Sequence, residues 1–127
     1  MAPPIRGRLV SLNVGPVRSV EWGGRMVETG IWKDPVDGPR SVGPTQIDGD
    51  RQADLRVHGG ADKAVYAYAA EDLAWWSDTY NRPFPPAVLG ENLTTEGIDV
   101  TNAVVGERWR IGSGGDAVVL EVCQPRE

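Results

Sequence analysis

Short apolar runs, alternating or continuous and each cut off by glycine or proline, recur along most of the chain, and that rhythm predicts strands joined by tight turns. The first is Arg8-Leu9-Val10-Ser11-Leu12-Asn13-Val14, closed by Gly15-Pro16. Residues 17–22 and 25–32 flank Gly23-Gly24, and two glycines accept the positive φ values of a hairpin turn, so an antiparallel pair is expected. Residues 33–40 carry Pro35, Asp37-Gly38 and Pro39 and read as a loop, whereas residues 41–47, interrupted by Pro44, read as a weak strand at a sheet edge or bulge. Residues 64–68 predict a buried strand.

At Glu71 the period changes. Leu73, Trp76 and Tyr80 fall at helical spacing, Glu71 and Asp72 suit the positive end of a helix, and Pro83, Pro85 and Pro86 cannot continue one. A helix over 71–80 is therefore expected, its aromatic face packed in the core. Residues 90–98 mix small and polar residues with apolar ones and read as an edge strand and turn. Residues 107–111 and 117–122 flank Gly112-Ser113-Gly114-Gly115 as a final hairpin. No internal repeat or linker interrupts this order.

Length limits the chain to one domain, because 127 residues bury a single core and leave no room for a second. A formal charge of -5 supplies no positive field, which argues against binding nucleic acid polymers or anionic membranes in general and leaves only a local basic pocket. The lone Cys123 excludes an internal disulfide, a four-cysteine zinc site and a cysteine-held iron–sulfur cluster. Neither the opening residues nor the longest apolar run, 64–70, has the length of a signal core or a membrane span. A cytoplasmic protein without a membrane segment is expected.

Four polar clusters sit at strand ends or glycine turns, where side chains and free N–H groups converge on anions. They are Lys33 with Arg40, His58 with Lys63 across Gly59-Gly60, Glu91 with Asn92, and Gln124 with Arg126. Each has a plainer reading. A histidine beside two glycines is more often a structural hydrogen-bonding residue, loop cations are usually solvated, Glu91 and Asn92 can satisfy a turn, and Arg126 can belong to a frayed end. Phosphate loops, dinucleotide fingerprints and paired-histidine zinc motifs are absent from the sequence, and the spacing of Ser77 and His58 supports no nucleophilic triad. Residue chemistry alone gives a β-rich domain with an anion-friendly pocket.

The succession Thr29-Gly30-Ile31-Trp32-Lys33-Asp34-Pro35-Val36, Gly49-Asp50-Arg51-Gln52-Ala53-Asp54, His58-Gly59-Gly60-Ala61-Asp62-Lys63-Ala64-Val65-Tyr66-Ala67-Tyr68, Gly90-Glu91-Asn92-Leu93 and Gln124-Pro125-Arg126 resembles the MOSC domain over nearly the whole chain. That family takes its name from the C-terminal domain of molybdenum cofactor sulfurase. The likeness is to its small stand-alone bacterial branch, which includes reductases of hydroxylaminopurine and other N-hydroxylated bases. The resemblance implies a mainly β, barrel-like fold of mostly antiparallel strands with one or two short helices, filling residues 1–127 as a MOSC domain without its C-terminal part. It implies an oxidoreductase that reduces N-hydroxylated bases or related N–O compounds with the molybdenum cofactor, in its molybdopterin form. The alternatives are a molybdopterin or sulfur carrier without turnover of its own, and an inactive fragment.

Carried over by motif, His58, Lys63, Asn92 and Arg126 are the expected cofactor contacts, with Lys33, Glu91, Gly59 and Gly60 beside them and Arg40 outside a firm motif. In the family, Gln-Pro-Arg is followed after one residue by Pro-Cys, whose thiolate is the expected molybdenum ligand, a soft donor for a redox metal. Here the sequence ends at Glu127, so the resemblance leaves the metal ligand and the complete cofactor site to a further C-terminal segment. Cys123 stands three residues before Arg126, inside an expected strand, and reads as packed. The substrate is expected to be a small molecule. With one cysteine and no flavin motif, electrons are expected to come from a separate donor protein.

Overall fold

The computed structural model describes residues 5–15, 18–29, 33–43, 46–50 and 64–125. Its central element is a four-stranded sheet in the order β4-β1-β6-β5, built from β1 (Arg8–Val14), β4 (Asp34–Val36), β5 (Ala67–Ala69) and β6 (Leu93–Glu96). β1 runs antiparallel to β4 and β6, and β5 runs parallel to β6. A parallel pair needs a long crossover. The connection from β5 to β6 supplies it through α1 (Ala70–Tyr80), which packs on both strands.

Alternation along β1 sets the two faces of the sheet. Leu12 and Val14 turn to one side with Leu93 and Val36, where Val14, Ile47 and Leu93 form the buried centre. Ser11 and Asn13 turn to the other. A register shift between Leu9 and Ser11 inserts an extra residue against β6, which changes the side-chain alternation before the buried end of the strand. Asn13 is fully buried because both faces of the sheet are covered at this point.

Two hairpins accompany the sheet. β2 (Arg18–Trp22) pairs with β3 (Arg25–Thr29) across Gly23 and Gly24, at φ 60° and 80°, as the glycine pair requires. β7 (Arg108–Ile111) pairs with β8 (Val118–Glu121) across a short 3-10 turn at Gly114–Asp116, and Ile111 and Leu120 pack against the core. The architecture is thus mainly β with one α-helix. Among the described residues the strands form three separate sheets, and the expected barrel-like closure is not seen: β7 and β8 pair only with each other.

Three expectations change. Residues 33–40 are not all loop, since Asp34–Val36 forms an edge strand, where Pro35 can dispense with its missing N–H. Of residues 41–47, those described contribute a bridge between Val42 and Ile47 and no strand. Residues 90–98 contain an interior strand rather than an edge, because β6 lies between β1 and β5.

The helix agrees in extent and departs in packing. Leu73 is buried as expected, but Tyr80 is 60% exposed and Trp75 58%. An α-helix of this length spans about 16 Å and a three-residue strand about 10 Å, so α1 outruns β5. Its last turn packs on the residues just beyond its C-terminus: Tyr80 stacks on Trp76 and Phe84, and the Arg82 guanidinium lies 5.3 Å from the Phe84 ring centre. Trp76 turns back to the sheet, where its Nε1 donates to the Tyr68 hydroxyl at 2.8 Å. No helix among the described residues is long and apolar enough to cross a membrane.

Candidate functional site

Two polar layers meet in Glu91 and Asn92, immediately before β6. Glu91 is wholly buried. Its Oε2 accepts from the Ala87 N–H at 3.0 Å and from the Thr94 hydroxyl at 2.8 Å, while Oε1 accepts from the Leu89 N–H at 3.1 Å. Ala87 needs such a hold. Its φ of 76° is a left-handed conformation that costs an L-residue about 1–2 kcal/mol. The carboxylate therefore braces the turn that leads into β6, and three donors offset the cost of removing a charge from water.

The brace continues into β1. Asn13 Nδ2 donates to the Glu91 carbonyl and to the Thr94 hydroxyl, both at 3.0 Å, and the Ser11 hydroxyl donates to Asn13 Oδ1 at 2.6 Å. Each Asn13 amide hydrogen is used. These contacts fix the side chain's orientation, because exchanging its oxygen and nitrogen would set Oδ1 against the Glu91 carbonyl, acceptor against acceptor.

Asn92 builds the second layer. Its Nδ2 donates to the Asn13 carbonyl at 3.1 Å and to Asp50 Oδ2 at 3.0 Å, and its Oδ1 accepts from the Tyr66 N–H at 2.9 Å. The other Asp50 oxygen, Oδ1, accepts from Lys33 Nζ at 2.5 Å and from the Gly15 N–H at 3.2 Å. Lys33 and Asp50 form a buried ion pair, with side chains 6% and 0% exposed. Desolvation on this scale is tolerable only because every Asp50 oxygen has a donor. Arg40 also comes to this turn, its Nη1 lying 3.5 Å from where a Cβ on Gly49 would stand.

The sequence-predicted site residues thus divide. Lys33, Glu91 and Asn92 are brought into one buried network, joined by Asp50, Asn13 and Thr94, which sequence reasoning did not single out. Asn13 gave no warning, because it falls on the polar side of the β1 alternation, where a solvent-facing residue would also stand. Asp50 stood in one of the motifs that carry the family resemblance, but no role was attached to it. His58, Gly59, Gly60, Lys63 and Arg126 lie outside the described residues. Gln124 is exposed, and Cys123 is half-buried with its Sγ 3.4 Å from the Glu121 carbonyl oxygen.

As direct contacts to a molybdenum cofactor, the described candidates do not fit. Both Asn92 amide hydrogens and both Glu91 oxygens are taken by protein partners, and Lys33 is turned into the core. Among the described residues no group of three or more His, Cys, Asp or Glu side chains could hold a metal ion. What the arrangement does is structural: it ties β1, β4, the turn before β6 and the residues on either side of 51–63 into one unit.

Residues 54–127 match the MOSC domain family. The chain belongs to the MOSC domain family. This MOSC protein is 39% identical over 122 residues to the uncharacterized protein YflK of Bacillus subtilis (strain 168), covering 96% of the chain and 53% of that relative. It is 32% identical over 127 residues to a protein of Gibberella moniliformis (strain M3125 / FGSC 7600) named reductase, covering 97% of the chain and 22% of that relative. The crystal structure of YiiM from Geobacillus stearothermophilus shares its fold with a TM-score of 0.68 and 32% identity, over 96% of this chain and 52% of that one. The MOSC chain thus spans about half the length of YflK and YiiM, and less of the fungal reductase. Its family is one related to the molybdenum cofactor.

Proposed function

We propose that this MOSC domain holds the pterin part of the molybdenum cofactor for a reductase of N-hydroxylated bases or related N–O compounds. The observation that carries the reading is family membership, supported by the distant relative named a reductase. In this reading His58, Lys63 and Arg126 supply cations and N–H donors to the pterin phosphate and ring edges, and Gly59 and Gly60 let the backbone come close. Lys33, Glu91 and Asn92 serve as scaffold, because their polar groups are spent on Asp50, Thr94 and the backbone. When bound, the cofactor supplies the two-electron chemistry. The chain's own part is to bind and orient it, with a small-molecule substrate and electrons from a separate donor protein. Cytoplasmic location belongs to the same reading.

The test is retention. Purified from a host that makes molybdopterin, the protein should carry it, detected as its fluorescent oxidation product. Lys63→Ala should lower the amount about tenfold or more, the loss expected from one charge-assisted contact, while circular dichroism stays unchanged. A wild-type protein free of pterin overturns the reading, and unchanged retention in Lys63→Ala removes that residue from the site.

A further inference from the structure

Trp75 stands on the side of α1 that the fold leaves open. Leu73 is buried and Trp76 turns back to the sheet, whereas Trp75 is 58% exposed. It meets Trp76 edge to face, with ring centres 4.8 Å apart at 82°, so the stack of Trp76, Tyr80 and Phe84 borders it without covering it.

The charges that surround it on the helix are negative. Glu71 and Asp78, one turn to either side, share a face with Trp75, their positions about 10 Å apart along the axis. The Gly97 N–H donates to Glu71 Oε2 at 2.9 Å and the Thr101 hydroxyl to Asp72 Oδ2 at 2.8 Å, which holds both carboxylates at the first turn. Asp99 lies across the cleft beside them. No Lys or Arg occurs between Lys63 and Arg82, and the Arg82 guanidinium lies over the Phe84 ring.

Two of these choices work against the helix itself. Asp78 stands in the last turn, where the backbone carbonyls already carry negative charge, and α1 has no basic residue there to offset it. Trp75 occupies a solvent-facing position that straight-chain residues fill better, and it leaves aromatic surface in water. Residues that conflict with local stability without a gain inside the fold point to a gain outside it.

We propose that this face of α1 docks a segment of a partner protein that presents lysine or arginine side chains, one over the Trp75 indole and others against Glu71 and Asp78. The face of an indole attracts a cation, and carboxylates one turn to either side strengthen that attraction. Charge selects the occupant. A second copy of this chain would bring the same carboxylates together across a two-fold axis, and like charges repel. The surface rests on the helix alone and not on the proposed function.

Titration calorimetry of the whole chain with a helical lysine–leucine peptide, its lysines along one face, tests the docking. Binding should weaken as salt rises and be absent with the glutamate–leucine counterpart. Trp75→Ala and Asp78→Lys should each weaken it about tenfold, the loss expected of central contacts. Asp116→Lys, the same charge change on the exposed 3-10 turn, should weaken it about twofold or less. Both α1 variants should keep or raise Tm, because alanine is the better helix former and lysine suits a helix C-terminus. No binding of the lysine peptide, equal binding of the glutamate peptide, or an equal loss in Asp116→Lys overturns the proposal. A clear fall of Tm in Trp75→Ala overturns it too, by making Trp75 a packing residue. A wild-type dimer in light scattering that Trp75→Ala dissolves overturns the basic partner in favour of a second copy.

Discussion

Glu91→Gln replaces one buried oxygen by an NH2 group and leaves the side-chain shape almost unchanged, so it isolates the brace from packing. The carboxylate serves three donors: Ala87 and Thr94 on Oε2, Leu89 on Oε1. Glutamine has one acceptor oxygen. Its best orientation keeps that oxygen on Ala87 and Thr94 and points Nε2 at the Leu89 N–H, leaving a buried donor facing a donor. That single loss costs about 1–3 kcal/mol, and the two surviving bonds each weaken from charge-assisted to neutral. Removing the charge from a fully buried position recovers part of this. The net destabilisation comes to about 2 kcal/mol, which for a domain of this size lowers Tm by roughly 6–12 °C. Thermal unfolding and urea titration should agree, with the midpoint moved and the m-value unchanged. A variant melting within about 2 °C of wild type would show that Glu91 is not a brace. If that same variant lost pterin, the carboxylate would belong to a ligand site.

Two further substitutions test the same interior from other sides. Lys33→Met should leave Asp50 buried with, among the described residues, the Gly15 and Asn92 donors alone, and cost about 3 kcal/mol, read as a lower urea midpoint; an unchanged midpoint would mean the pair contributes nothing. Thr95→Val should do the opposite. The Thr95 hydroxyl is buried without a hydrogen-bond partner among the described residues, so removing it at constant shape should raise stability by about 1 kcal/mol and Tm by a few degrees, and a lower Tm would refute its being unpartnered.

Strand rhythm and turn chemistry were legible in the sequence wherever one local signal decided the structure. β1, both hairpins and α1 stand close to where period and glycine placement put them, because a two-glycine turn and a helical repeat are fixed by the residues that compose them. Asp34–Val36 was not legible, since proline argues for a loop until a partner is known to lie on only one side. Nor was the interior place of β6, whose Thr94 and Thr95 resemble a solvated edge until Asn13 and Glu91 are seen bonded to Thr94. The reach of α1 past the sheet depends on the length of β5, which no property of the helix encodes.

The adjacency of Glu91 and Asn92 shows most clearly where sequence reasoning stops. Two neighbouring polar residues at the mouth of a strand look the same whether they face a ligand or the interior, because side-chain chemistry is common to both. Their destination is decided by their donors. For Glu91 two of these are the backbone N–H groups of Ala87 and Leu89, residues whose side chains announce no polarity; for Asn92 one is the N–H of Tyr66. Backbone donors leave no mark on a sequence. Yet the spacing becomes meaningful once the direction is known: Glu91 holds the turn before β6, and Asn92 ties Asp50 and Tyr66 to β1. Residues that a motif suggests as ligand contacts can therefore be frame instead, with Lys33, just before β4, and Asp50, in the turn after Ile47, joining the same frame.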